Sequence, residues 1–168
     1  MKWWVVPLFA LIVFGARNAA AQQARAARTG VGVGAEATTT GIVGGTFVYD
    51  ASVFHIDVLL GGNFNPNFST VAAAGRFFFP LHTSQSADFS IGPGVGIVHT
   101  NNHPGAPNPD TTVNEGHVEG AVQIRAFIVP NVALSASAGV GVVFTNGSNR
   151  GVIGGQVGGQ LGVTYFFW

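Results

Sequence analysis

Residues 132–144 read VALSASAGVGVVF. Val132, Leu134, Ala136, Ala138, Val140, Val142 and Phe144 share one parity, and Ala133, Ser135, Ser137, Gly139 and Gly141 share the other. Successive side chains of an extended chain point to opposite faces. The stretch therefore reads as one long strand with an apolar face and a small or polar face.

Working outward, the same period returns. Upstream, Val118 to Ile128 sets Val118, Val122, Ile124, Ala126 and Ile128 against His117, Glu119, Gln123 and Arg125. Downstream, Ile153, Val157, Leu161, Val163, Tyr165 and Phe167 oppose Gln156, Gly158, Gln160 and Thr164. Further back, Phe54, Ile56, Val58 and Leu60 oppose His55 and Asp57. Residues 28–37, 42–50, 69–79 and 88–99 follow the pattern less sharply. Eight strands result, several near the ~9–11 residues that cross a bilayer at a tilt. The predicted fold is all-β: an up-and-down antiparallel transmembrane β-barrel.

Composition points the same way. Of 168 residues, 8% are charged and 47% hydrophobic, against roughly 25% charged in an ordinary soluble domain. Net charge is zero, which leaves no electrostatic footprint for nucleic acid. There is no cysteine, so disulfide and thiol chemistry are out.

The chain opens with MKWWVVPLFALIVFGARNAAA. Lys2, an apolar run from Trp3 to Phe14 and the small residues Ala19 to Ala21 make a signal peptide over 1–21. Cleavage is expected after Ala21. Residues 22–27 then form a short N-terminal segment, and 28–168 the barrel. Asp50-Ala51-Ser52 and Pro130-Asn131 read as tight turns, and Pro80 to Ala87 as a longer one. Asn63 to Phe68, Thr100 to Thr112 and Asn146 to Arg150 read as longer loops at the other end.

With its final strand LGVTYFFW, its hairpin phrase FIVPNVAL at 127–134 and its GPGVG at 92–96, the chain resembles the small eight-stranded outer-membrane β-barrel proteins of Gram-negative bacteria, of the OmpA/OmpX/OmpW type. The resemblance implies a monomer in the outer membrane, in contact with its lipids and lipopolysaccharide. It also implies that Leu161, Val163, Tyr165, Phe167 and Trp168 are read by the barrel-assembly machinery.

Parity sends the polar strand faces inward. The charged set there is Glu36, His55, Asp57, Arg76, Glu115, His117, Glu119 and Arg125, while Asp50, Asp88 and Asp110 fall in turns or loops. An eight-stranded barrel has an interior just wide enough for side chains to fill, so these charges are expected to pair into a plug. Glu115, His117, Glu119, His55 and Asp57 are metal-ligand types, but lumen alternation alone gives that spacing. No metal and no cofactor are expected. His99-Thr100-Asn101-Asn102-His103 resembles the His-x-Ser-Asn motif of outer-membrane lipid A deacylases, with Asn101 where the nucleophilic serine belongs. A polar outer loop is expected there instead. The leading reading is a non-enzymatic structural or surface-interaction protein of the envelope. A narrow, porin-like channel or transporter is the alternative, and a lipid-modifying enzyme a third.

Overall fold

The computed structural model describes residues 29–103, 105, 109–145, 148–153 and 159–168. The expected signal peptide over 1–21 and the expected segment 22–27 lie outside them. Nine strand segments run in chain order: β1 (Gly30–Thr38), β2 (Val43–Asp50), β3 (His55–Asn65), β4 (Phe68–Thr83), β5 (Ala87–Asn102), β6 (Thr111–Val129), β7 (Val132–Thr145), β8 (Ser148–Ile153) and β9 (Gln160–Phe167). Each pairs antiparallel with its chain neighbour from β1 through β7, and β9 pairs with β1 from Val31↔Phe167 to Thr38↔Gln160. The sheet thus closes on itself. It is an eight-staved up-and-down barrel, because β8 and β9 share the last stave: β8 pairs with β7 at Val140↔Ile153 and β9 at Ser137↔Gln160.

Alternation decides which way each side chain points. Along β6 the odd residues from His117 to Phe127 are buried and the even ones between them exposed. The same rule runs through β1, where Glu36 and Thr38 are buried and Val31 and Val33 exposed. Closure joins the first and last staves through β1 and β9, and among the described residues β8 pairs on one side, with β7.

The strands run longer than their alternation indicates. β3 continues to Asn65 and β4 begins at Phe68, so the expected loop Asn63–Phe68 is a two-residue turn, Pro66-Asn67. Asn65 Oδ1 closes it by accepting from the Asn67 and Phe68 amides at 2.9 and 3.0 Å. The expected long turn Pro80–Ala87 shrinks to 84–86, with Leu81 bulged out between the pairs Pro80↔Ser90 and His82↔Phe89. β5 reaches Asn102, which places Thr100 to Asn102 on a strand rather than in the expected loop. Ser148 to Arg150, expected as loop, belong to β8. In each case polar turn-forming residues extend the hydrogen-bonded ladder beyond the apolar alternation.

Some strands approach too closely for side chains. A Cβ on Gly92 would run into the Phe77 carbonyl oxygen and lie 2.9 Å from the Phe78 Cα, whereas one on Gly120 would meet nothing within 4 Å. Gly92→Ala is therefore expected to lower stability by about 1–3 kcal/mol through overpacking. Gly120→Ala should stay within about 0.5 kcal/mol of the parent. Urea unfolding in detergent micelles reads both, and equal effects would contradict the packing.

Candidate functional site

The barrel interior is where charge collects. At the end that carries Gly30 and Phe167, here called the turn end, Arg125 of β6 is buried. Its Nε donates to Asp88 Oδ1 at 3.0 Å, and one terminal nitrogen donates to Asp88 Oδ2 and Asp50 Oδ2, both at 2.8 Å. The guanidinium carbon also sits 5.8 Å from the Phe127 ring centre and 5.9 Å from that of Phe166. One arginine thus joins β2, β5 and β6. This corrects the sequence reading of Asp50 and Asp88 as turn residues. They are the last residue of β2 and the second of β5, and their side chains face inward. Asp50 does serve the turn as well, since its Oδ1 accepts from the Ser52 amide at 2.9 Å. Ser52 there has φ 65°.

Just inside that cluster, a hydrogen-bonded bridge crosses the lumen. His55 Nε2 donates to Gln123 Oε1 at 2.7 Å, and Gln123 Nε2 donates to Asp57 Oδ2 at 2.7 Å. The His55 ring stacks on Phe78 with centroids 5.1 Å apart. Phe78 and Phe166 have no exposed surface, and Phe166 packs with Phe127, ring centres 5.9 Å apart, at the turn end. Sequence reasoning missed Gln123 as a member because an inventory of charges passes over an amide. Its place among the polar residues of Val118–Ile128 was the available signal.

Further in, Arg76 Nε donates to Glu119 Oε1 at 2.6 Å, tying β4 to β6. The pair lies over Gly94, where a Cβ would stand 2.9 Å from Arg76 Cγ and 3.0 Å from Glu119 Oε1. Glu36 of β1 is also buried, its Cγ against the backbone of Gly162. Near the opposite end, the loop end, His117 is buried and Glu115 is half-buried. Of the eight inward residues read from parity, the structure gathers seven as buried side chains and leaves Glu115 at the mouth. Among the described residues no group of three His, Cys, Asp or Glu side chains is placed to hold a metal ion.

The outside is the inverse of the inside. Val95, Ile97, Val140, Leu161 and Phe167 are all more than half exposed. Among residues with described side chains, no outward-facing strand position carries Asp, Glu, Lys or Arg. At the turn end aromatic rings meet edge to edge or stacked: Phe54 on Phe77 at 4.9 Å, Phe77 on Phe79 at 4.8 Å, Tyr165 on Phe167 at 5.1 Å. The last strand divides by face. Leu161, Val163, Tyr165 and Phe167 point outward. Trp168 turns back onto Phe166, ring on ring at 4.7 Å, and its Nε1 donates to the Pro130 carbonyl at 3.0 Å.

The HTNNH stretch lies along the end of β5. His99 Nδ1 pairs with Asn114 Oδ1 at 2.6 Å, and Asn101 Oδ1 accepts from the Thr112 hydroxyl at 2.8 Å.

These features define a small closed antiparallel barrel with a polar, charge-paired interior and an apolar exterior. No protein-family profile and no curated protein matches the sequence. Among solved structures, the fold is similar to the N-terminal β-barrel domain of Pseudomonas aeruginosa OprF, with TM-score 0.60 and 11% identity over 83% of this chain and 98% of that one. Neisserial surface protein A (NspA) follows at 0.49 and 12%, covering 82% of this chain and 93% of its own. Acinetobacter baumannii CarO stands at 0.43 and 14%, covering 85% and 100%. At these identities the likeness is one of fold, and it rests on the OprF domain.

Proposed function

We propose that the chain is a non-enzymatic outer-membrane β-barrel protein with a structural or surface-interaction role in the cell envelope. In this reading it is exported by the signal peptide over 1–21 and works as a monomer. The single observation that carries it is the inside-out distribution. Buried side chains include Arg76, Arg125, Asp50, Asp57, Asp88 and Glu119, while the exposed strand face is apolar and free of described Asp, Glu, Lys and Arg. Water would make such an exterior aggregate, whereas a hydrocarbon layer is its natural solvent. Closure of the ladder through β1 and β9 supports the same reading, since lipid offers the backbone no partners. The aromatic rings at the turn end match an interfacial girdle. The turn end then faces the periplasm and the loop end the exterior.

The plugged interior favours a structural role over conduction. Arg125, Asp50, Asp88 and the Phe127–Phe166 pair occupy the turn end, and Arg76 with Glu119 the middle. Partners then lie outside the barrel: outer-membrane lipids and lipopolysaccharide along the apolar wall. The outward residues Leu161, Val163, Tyr165 and Phe167 are the face presented to the assembly machinery, with Trp168 latched on the turn. An enzymatic role is disfavoured because Asn101, at the position of a deacylase nucleophile, carries an amide, and an amide is no nucleophile.

Planar-bilayer recording tests the plug. The protein is expected to insert without stable unitary conductance. Reproducible single-channel steps would replace this reading with the narrow channel. A change in lipid A mass that depends on the protein and disappears with His99→Ala would replace it with the enzyme.

A further inference from the structure

One ladder row crosses four staves of the barrel. Ser90 of β5 stands opposite Gln123 of β6, Gln123 opposite Ser137 of β7, and Ser137 opposite Gln160 of β9. By alternation all four side chains point into the lumen. The row winds along the barrel as it crosses. Ser90 lies two residues from Asp88 of the turn-end cluster, whereas Gln160 stands opposite Thr38, the last residue of β1. The Thr38 hydroxyl meets that of Thr40 at 2.7 Å, and Thr40 lines a cavity of about 160 Å³ at the loop end. A polar track therefore runs from that cavity down to Gln123 and Ser90.

The track is lined with unmet polar atoms. Ser90 Oγ, Ser137 Oγ and Gln160 Nε2 are buried and make no hydrogen bond among the described residues. Beside the row, His55 Nδ1, Asp57 Oδ1 and Arg125 Nη1 are in the same state. These three residues gather on Gln123. Its amide bridges His55 and Asp57, and Arg125 follows two places along the same face of β6. Ser90, His55, Asp57, Arg125 and Gln160 are each more than nine-tenths buried. Leaving such an atom unmet costs its full desolvation, so folded proteins meet it with a protein partner or ordered water.

The mixed character of these atoms names the ligand. His55 Nε2 donates to Gln123, so His55 Nδ1 accepts. Asp57 Oδ1 also accepts, Arg125 Nη1 and Gln160 Nε2 donate, and the serine hydroxyls do either. A cation at Gln123 would lie against the Arg125 guanidinium, and an anion against the Asp57 carboxylate. Water donates and accepts, and it carries no charge. At about three hydrogen bonds per buried water, about two or three molecules satisfy the set.

We propose that this track is a built water-binding site, a file of ordered water that runs from the loop-end cavity to Gln123 and stops there. The turn end closes it, because Phe78 and Phe166 have no exposed surface and Arg125 is held by Asp88 and Asp50. The barrier to passage then lies at the turn end rather than along the whole lumen. The inference rests on the barrel and its register, and it stands independently of the envelope role.

The test is a crystal structure of the protein folded in detergent, at a resolution that orders internal water, with a second crystal soaked in rubidium bromide. Water density is expected within hydrogen-bond distance of Ser90 Oγ, Ser137 Oγ, Gln160 Nε2 and Asp57 Oδ1, with no anomalous peak from either ion. A rubidium or bromide peak at Gln123 would overturn the proposal. So would a lumen in which the unmet atoms bond directly to one another with no water between them. In micelles, Ser137→Ala combined with Gln160→Leu removes two groups that hold the file. The Gln123 side-chain amide should then exchange its protons with D2O at least tenfold more slowly than in the parent. Exchange at the parental rate would show that water reaches Gln123 without the track, and would equally overturn it.

Discussion

Arg125→Ala is expected to cost the folded barrel about 3–5 kcal/mol, the range for breaking a buried ion pair from one side. The arginine is buried, and it gives Asp88 and Asp50 hydrogen bonds of 2.8 to 3.0 Å. Without it two carboxylates of the turn end lose their cation inside a closed lumen, and Phe127 and Phe166 lose the group packed on their rings. Removing all three charges together, as Arg125→Met with Asp50→Asn and Asp88→Asn, should recover much of the loss, because a buried charge triad is often replaceable by neutral groups at little cost. Denaturant unfolding in micelles or vesicles reads both variants. An unchanged midpoint for Arg125→Ala would show that the cluster contributes nothing to the fold. A triple variant as unstable as the single one would show that shape rather than charge matters there.

The second large effect is on the outer wall. Val95 sits midway along β5, 58% exposed, between Gly75 of β4 and Val118 of β6. Val95→Arg should cost about 2–4 kcal/mol when the barrel is folded in vesicles, the penalty for arginine at a bilayer midplane. On a water-exposed strand the same substitution would stay within about 0.5 kcal/mol. The size of the result therefore separates the two environments. A Val95→Arg protein as stable as its parent in vesicles would remove the lipid-facing wall from this account.

The barrel was legible because its signal is redundant. Val132 to Phe144, Val118 to Ile128 and Phe54 to Leu60 all alternate with a single phase, and a one-residue slip would turn every apolar side chain inward. The polar parity of those strands also located Arg125, Glu119 and His55 inside, and the weaker pattern of 69–79 located Arg76. What escaped notice lies where alternation fades. Asp50 stands beside Ala51 and Ser52, and Asp88 follows Ser84-Gln85-Ser86-Ala87, so local composition argues for turns. Only the register, with Asp50 opposite His55 and Asp88 opposite Arg125, shows that the ladder reaches them. Likewise, the single long strand read from Ile153 to Phe167 is two segments, because β8 and β9 pair with β7 in registers that do not continue one another. A cross-strand register is a long-range property, and no window of one strand encodes it. A cavity of about 160 Å³ at the loop end was hidden for the same reason: Asn63, Thr100 and His117 of its wall come from three strands, and only closure of the sheet brings them round one space.

The most direct test of the central claim, that this barrel is built to sit in a membrane, is refolding. The chain from Gln22 onward would be diluted from urea into buffer with and without phospholipid vesicles, then centrifuged through a flotation gradient. Trp168 is the only tryptophan of that chain, so its fluorescence reports the closed turn end. With vesicles, the protein should float with the lipid, show β-sheet circular dichroism and a blue-shifted Trp168. Without them it should precipitate or stay unfolded. A monomeric, folded, soluble protein in lipid-free buffer that leaves the vesicles behind would contradict the account.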